Sequence, residues 1–544
     1  MIPKPLPARH AWMAAICLVV GCHRVDVVHQ PKEAPASLAT RGKEEADDGA
    51  RVSVRLGKIP EVALSPRPPL DAKQVARIKE CIASLAAIDR PDFGLSPTIS
   101  GNAFLPLAGQ RSVHTFVFAD HGLQTANSLQ TLVERGPDSL PFLLAALDDK
   151  TPTKLTIQHE SFLGAMWFAN ELWGNPVNPV EARVLGPRRA RTPADKERHI
   201  NTYTVKVGDL CLVAIGQIVG RGYQAVRYQP TACVVINSPT EDATLREQVR
   251  AIWSSPDPAK RLFDGFLIDY ATVADDKKGD AMDGRGQSSS LQTEAALRLL
   301  YYFPKETAPL IARRLRSLHV EGTGRGSRIE PTKQELDAWK HRELTNGVEA
   351  LGFVKAVSWC AIPEIRDALR SIFERTGDAR ILLAALPALD DSARELIKCR
   401  IASLIKGVPR QDEAGPYGDG YYLLIAAGQG VGAASKPLFE TYLKGAGPLR
   451  RFTVCQAILE SKANWCVDLL TSLLDDKRPV GGYNHAAAGG DQEWRVPIRV
   501  CDAAAQSLSS VRRELKFTMV GTEKDLDRQI QVIRQQLSRA QSGR

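Results

Sequence analysis

From Asp71 onward, apolar side chains recur every three or four residues, the spacing that lines one face of an α-helix. Val75, Ile78, Ile82 and Leu85 form the first such stripe, and Leu140, Leu143, Leu144 and Leu147 form another. The second opens on Gly136-Pro137-Asp138, a helix-start signal. Further helices are predicted over 295–303, 307–318, 344–357, 362–373, 379–386, 393–404, 438–443, 452–459 and 467–474, with mostly short breaks containing Gly, Pro, Asp or Asn. Strand-like alternation is confined to 113–118, 202–207 and 233–236. Helices in antiparallel succession over hundreds of residues predict a mainly α fold, an α-solenoid with long insertions and a few short β pieces. Leu526, Ile530, Ile533 and Leu537 predict a last helix that covers the end of the array, because a terminal repeat needs an amphipathic cap.

The pattern also repeats. Leu147-Asp148-Asp149-Lys150-Thr151-Pro152 returns as Leu474-Asp475-Asp476-Lys477-Arg478-Pro479, each at the end of a leucine-rich helix. Val205-Lys206-Val207-Gly208-Asp209 is echoed by Ile498-Arg499-Val500-Cys501-Asp502, each at the start of another. These two stretches resemble HEAT repeats, in which a first helix, an acidic turn and a basic–valine step lead into an alanine-rich second helix. The resemblance implies stacked helix pairs, since one pair cannot cover its own apolar face. It is close for these two stretches, loose over 290–460 and poor before residue 71 and over 210–290. Asp148 and Asp209 are 61 residues apart, against 27 for Asp475 and Asp502. The first copy therefore carries an insertion, with Phe162, Met166, Trp167, Phe168, Trp173 and a basic stretch from Arg188 to Arg198. Phe162, Met166 and Trp173 are expected to share one side of a helix, with Trp167 pointing away. Insertions in a solenoid gather on one face, and Trp and Arg most often anchor interfaces. Trp167, Trp173, Arg188, Arg189 and Arg191 are thus the candidate partner-binding residues.

The first ten residues carry Lys4 and Arg9 and no acid, and Ala11–Val20 is an uncharged run. This is the order of a secretory signal, too short to span a bilayer. The run ends in Leu18-Val19-Val20-Gly21-Cys22, which resembles the lipobox of bacterial lipoproteins. The resemblance implies cleavage after Gly21 and a diacylglycerol on Cys22. Residues 22–70 are polar and proline-containing and read as a flexible tether. The expected organisation is a signal peptide over 1–21, a tether over 22–70, a HEAT-like region with insertions over 71–290 and a HEAT-like solenoid over 291–544. A lipobox leader joined to such repeats looks like the repeat lipoproteins of planctomycete-type bacteria. It implies a cell-envelope location on the extracytoplasmic side.

Composition, at 44% hydrophobic and 24% charged, is that of a globular protein. The net charge of +9 over 544 residues is a small excess. Arg313-Arg314-Leu315-Arg316 falls on the wet face of a helix, and no basic stripe is interleaved with aromatics, so nucleic acid is not an expected partner. The cysteines beyond Cys22 sit mostly in apolar helical patterns without a Cys-x-x-Cys pair. Cys455 and Cys466 are the pair placed to face one another across neighbouring helices.

Reactive motifs are incomplete. His159-Glu160 has Leu163 where a metalloprotease helix needs its second histidine. Gly428-Gln429-Gly430-Val431-Gly432-Ala433 matches a dinucleotide fingerprint by spelling, but reads as helix, breaker, helix. His114 with Asp120-His121 lacks a nucleophile, and no Gly-x-Ser-x-Gly elbow occurs. The recurring aspartates Asp148, Asp209, Asp475 and Asp502 are expected to cap helices and turns. No cofactor or metal is expected. The leading expectation is a membrane-tethered scaffold that binds another protein. The alternatives are a hydrolase-like enzyme with a site built from the N-terminal insertions, or a ligand- or glycan-binding surface protein.

Overall fold

The computed structural model describes residues 54–89, 104–107, 127–159, 165–172, 176–186, 199–228, 233–274, 281–318, 320, 350–408, 417–486 and 493–542. They form two compact units, one drawn from 54–318 and 350–372, the other from 373 onward. Both are mainly helical, with short, open pieces of β-structure.

The N-terminal unit begins with β1 (Val54–Leu56), followed by α1 (Ala72–Ser84), α2 (Asn127–Arg135) and α3 (Leu140–Ala145). Asp71 starts α1 with a reciprocal cap: its carboxylate accepts the Gln74 N–H at 2.7 Å, and the Gln74 side chain accepts the Asp71 N–H at 2.9 Å. Then come β2 (Pro152–Gln158), β3 (Met166–Phe168), α4 (Pro179–Leu185), β4 (His199–Ile200), β5 (Thr202–Lys206) and α5 (Val207–Val219). Every residue of α5 is buried. Its mean composition is apolar all round, as a helix surrounded on every side requires, and α2 and α3 pack against it. The unit continues through β6 (Val226–Tyr228), β7 (Val234–Ile236), α6 (Ala243–Trp253), α7 (Pro258–Ala271), β8 (Thr272–Ala274), α8 (Ala281–Tyr302) and α9 (Pro304–Ser317). β1 pairs antiparallel with β8, β2 with β5, and a mixed four-stranded sheet runs in the order β4-β3-β7-β6.

Helix α10 (Pro363–Arg375) leads into the C-terminal unit. There α11 (Ala379–Ala385), α12 (Arg394–Gly407), α13 (Asp419–Val431), α14 (Lys436–Leu443), α15 (Pro448–Ser461) and α16 (Val467–Ser472) precede a ribbon of β9 (Pro479–Ala486) and β10 (Glu493–Arg499). α17 (Val500–Val511) and α18 (Glu523–Ser542) complete it. α13, α15 and α17 pack on one another in succession.

The sequence echo is a repeated frame. A helix (α3 or α16) ends in an acidic turn, an antiparallel ribbon follows (β2/β5 or β9/β10), and a buried helix (α5 or α17) leaves the ribbon's second strand. Each ribbon closes with two backbone bonds in matching places. Val207 N–H reaches Thr151 O at 3.0 Å and Gly208 N–H reaches Asp149 O at 3.0 Å; Val500 reaches Arg478 O at 3.1 Å and Cys501 reaches Asp476 O at 2.9 Å. In each copy a later helix sends an arginine back to the turn. Arg250 of α6 donates to Leu144 O at 3.1 Å and pairs with Asp148 at 3.3 Å, and Arg534 of α18 donates to Leu474 O at 2.7 Å and to Asp475 at 2.5 Å.

Three expectations change. The tether was expected to reach residue 70, but 54–70 are tied to the N-terminal unit. β1 pairs with β8, the Ser65 N–H reaches Glu306, and Arg67 meets Asp138 at 3.3 Å. The boundary expected at 290/291 falls inside α8, whose residues 291–300 are all buried and which packs on α7 and α9. Met166–Phe168 is a strand, not a helix, because Trp167 pairs with His199 on one side and Val235 on the other.

Candidate functional site

The insertion in the first ribbon brings the described candidate into a sheet. Trp167 lies at the middle of β3 and is half-buried. Strand alternation sends Met166 and Phe168 to the opposite face, where Met166 is buried and Phe168 stacks edge-on against Tyr203 at 5.7 Å. Trp167 therefore does point away from Met166, by a period of two rather than by a helical turn. Cys22, Trp173, Arg188, Arg189, Arg191, Phe162, His114, Asp120 and His121 lie outside the described residues. His159 follows β2, its N–H on Asn201 O at 3.0 Å, and so stands on a ribbon rather than a helix.

Of the recurring aspartates, Asp209 and Asp502 are buried anchors, while Asp148 and Asp475 are exposed in the acidic turns. Asp209, in the first turn of α5, accepts the Lys206 N–H at 2.9 Å, the Tyr203 hydroxyl at 2.7 Å and the Ser238 hydroxyl at 2.5 Å. Burial pushes its carboxyl above the usual range, against the bonds from Ser238 and Tyr203 that pull it down. Burial and the neighbouring Asp209 likewise raise the Tyr203 phenol. Tyr, Ser and Asp in mutual contact are acid–base chemistry by type, but all three are sealed from solvent and spend their capacity on one another. Asp502 holds the matching place in α17 and binds Arg499 through its N–H at 3.0 Å and its guanidinium at 3.0 and 2.8 Å. Both aspartates thus start helices, as their repetition implies.

A second buried cluster has no counterpart in the sequence reading. Arg221, in the loop after α5, donates to Glu181 at 2.5 and 3.0 Å and to Asp269 at 2.8 and 2.9 Å. Asn178 joins them, its amide on Asp269 at 2.7 Å, while its oxygen caps α4 through the Val180 and Glu181 N–H groups. The three charged side chains are 1–2% exposed. They come from positions 40 and 48 residues apart, with no spacing motif to betray them.

The glycine motif does not form a phosphate loop. α13 runs through Gly428 and Gly430, whose missing side chains admit close neighbours: a Cβ on Gly428 would lie 2.7 Å from Ser461, and one on Gly430 would lie 2.7 Å from Leu386. The helix ends at Gly432, with φ of +69°. Cys455 and Cys466 are both buried free thiols. Among the described residues no group of three or more His, Cys, Asp or Glu side chains is placed to hold a metal ion. No helix among them is long and apolar enough to cross a membrane.

These features define a mainly α-helical protein in which one helix–ribbon–helix frame is used twice. No protein-family model matches the chain, and no curated protein or solved structure is significantly similar to it.

Proposed function

We propose that this protein is a lipid-anchored extracytoplasmic scaffold in which a HEAT-like α-solenoid presents insertions to another protein. The repeated frame carries the reading: its two copies share the acidic turn, the ribbon closure and the returning arginine, and differ chiefly in the longer insertion of the first. A frame kept constant while one connection grows is how repeat proteins vary a binding face without disturbing the stack. The strongest polar clusters support the same reading, since Asp209 and Arg221 are committed to holding helices. The lipobox at Cys22 supplies the tether, and two or three acyl chains hold a protein on a membrane where one is marginal.

Two measurements test it. The Cys22→Ala protein is expected to move from the membrane to the soluble fraction, while mass spectrometry of the wild type finds a diacylglycerol on Cys22; an unmodified Cys22 would remove the anchor. A photo-crosslinking residue at Trp173, Arg188 or Arg191 is expected to give a discrete adduct in cells, and the same residue at the exposed Glu395 is expected to give none. If the three insertion positions stay uncrosslinked, or crosslink no more specifically than the control, the insertion is not the binding face.

A further inference from the structure

The cluster beneath the point where the chain enters the N-terminal unit holds more acid than base. Glu181 on α4 and Asp269 on the last turn of α7 share the guanidinium of Arg221, whose remaining nitrogen donates to Gly220 O at 3.2 Å. Asn178 donates to both carboxyls, at 2.7 Å to Asp269 and 3.3 Å to Glu181. With both ionised, a dry site would keep one uncompensated negative charge, the arrangement in which one carboxyl of a pair retains its proton.

Neighbouring elements do not supply the missing cation. From the loop before β6 comes the Tyr223 phenol, bonded to the Trp253 indole at 3.3 Å. α8 brings Glu294 and Arg298, which pair with each other beside Gly220. Arg250 of α6 is turned to Leu144 and Asp148. Arg261 of α7 donates to Ile252 O and lies over the Trp253 ring at 5.4 Å. The turn before α3 brings Asp138, held by Arg67. On β1, Arg55 is exposed.

The same two helices back the entry strand. The Gly57 N–H reaches Ala271 O at 2.9 Å, two residues beyond Asp269, and Leu56 pairs with Thr272. α4 also packs against β1.

We propose that Glu181, Arg221 and Asp269 form a proton-binding switch, in which one proton held on Asp269 keeps the β1–β8 clasp tight and its loss at higher pH loosens the clasp. Burial, with Arg221 opposing it and Glu181 adding to it, pushes the Asp269 carboxyl up to about 6. An aspartate in the unfolded chain titrates near about 3.9. The folded state therefore binds the extra proton between these values, and the stability it contributes is full below about pH 4 and lost as pH rises through about 6.

The test compares melting of the full-length wild type with Asp269→Asn and Glu181→Gln from about pH 4.5 to 8. Exposed carboxylates cancel in the difference between proteins. Asp269→Asn, which mimics the neutral carboxyl, is expected to gain on the wild type by several degrees as pH rises, with slower hydrogen exchange at Gly57 above pH 7. A difference constant with pH overturns the proposal, as does loss of the pH dependence in Glu181→Gln but not in Asp269→Asn. Should Asp269→Asn fail to fold, infrared spectra of Asp209→Asn, which lacks the other buried carboxyl raised by burial, decide. A protonated-carboxyl band that persists at pH 5, where exposed carboxyls are ionised, and fades by pH 7 supports the switch, and its absence at pH 5 overturns it.

Discussion

Removing residues 522–544 is expected to lower the melting temperature of the C-terminal unit by about 10–20 °C, the consequence of a net loss of about 3–6 kcal/mol. α18 buries Leu526, Ile530, Ile533 and Leu537, each less than 9% exposed. Full burial of such a side chain stabilises by about 1.5–3 kcal/mol, offset in part by the entropy of ordering the helix. Its polar side adds ties that hold the ribbon frame. Asp527 meets both Lys477 and Arg499 at 2.8 Å, and Arg534 binds the Leu474 carbonyl. Ile533→Ala alone is expected to cost about 2–5 kcal/mol, since the residue is fully buried and its neighbours collapse only partly into the space. Scanning calorimetry checks both. An unchanged C-terminal transition in the truncated chain would mean that α18 lies on the unit without stabilising it.

Asp209→Ala is expected to destabilise the N-terminal unit by about 3 kcal/mol in urea denaturation. The substitution strands the half-buried Lys206 N–H and leaves the buried hydroxyls of Tyr203 and Ser238 only each other and Thr240 to bond; a stranded buried group costs about 1–3 kcal/mol, and the lost carboxylate leaves a cavity. Asp209→Asn is expected to cost about a third as much, because its amide oxygen still accepts the Lys206 N–H and the hydroxyls can rotate to accept from its amide nitrogen. Equal losses for the two variants would show that charge, rather than hydrogen bonding, is what α5 requires at this position.

Periodicity alone marks most of the helices. Stripes such as Ile78, Ile82 and Leu85, or Leu526 to Leu537, are readable because three- and four-residue spacing leaves only one way to bury the apolar side chains. The duplicated frame is readable too, since Asp209 and Asp502 act through bonds to residues three positions earlier, and local chemistry leaves a local signature. The pairing of the first ribbon is not, although β5 by itself reads as a strand over 202–207. Its strands β2 and β5 are joined across the whole insertion, so neither shows its partner in its own neighbourhood.

Trp167 shows where pattern misleads. Met166, Trp167 and Phe168 are apolar in succession, which suits a helix or a buried strand equally, and pairing with Val234–Ile236 some 68 residues away decides for the strand. The glycines of α13 follow the same logic: their spelling suggests a phosphate loop, and the nearness of Ser461 and Leu386 assigns them to helix packing. Residues 54–70 read as spacer because Pro60, Pro66, Pro68 and Pro69 interrupt them and no helical period runs through them; β8, Glu306 and Asp138 hold them in place.

The sequence by itself determined the mainly α architecture and the twofold use of one frame, because each depends on residues within a few turns of one another. Only the tertiary structure decided which polar residues are sealed together. Glu181, Arg221 and Asp269 are unremarkable one by one in the chain. They become a cluster because α4, the end of α5 and the end of α7 converge, and electrostatics in a dry interior depends on distance in space rather than along the sequence.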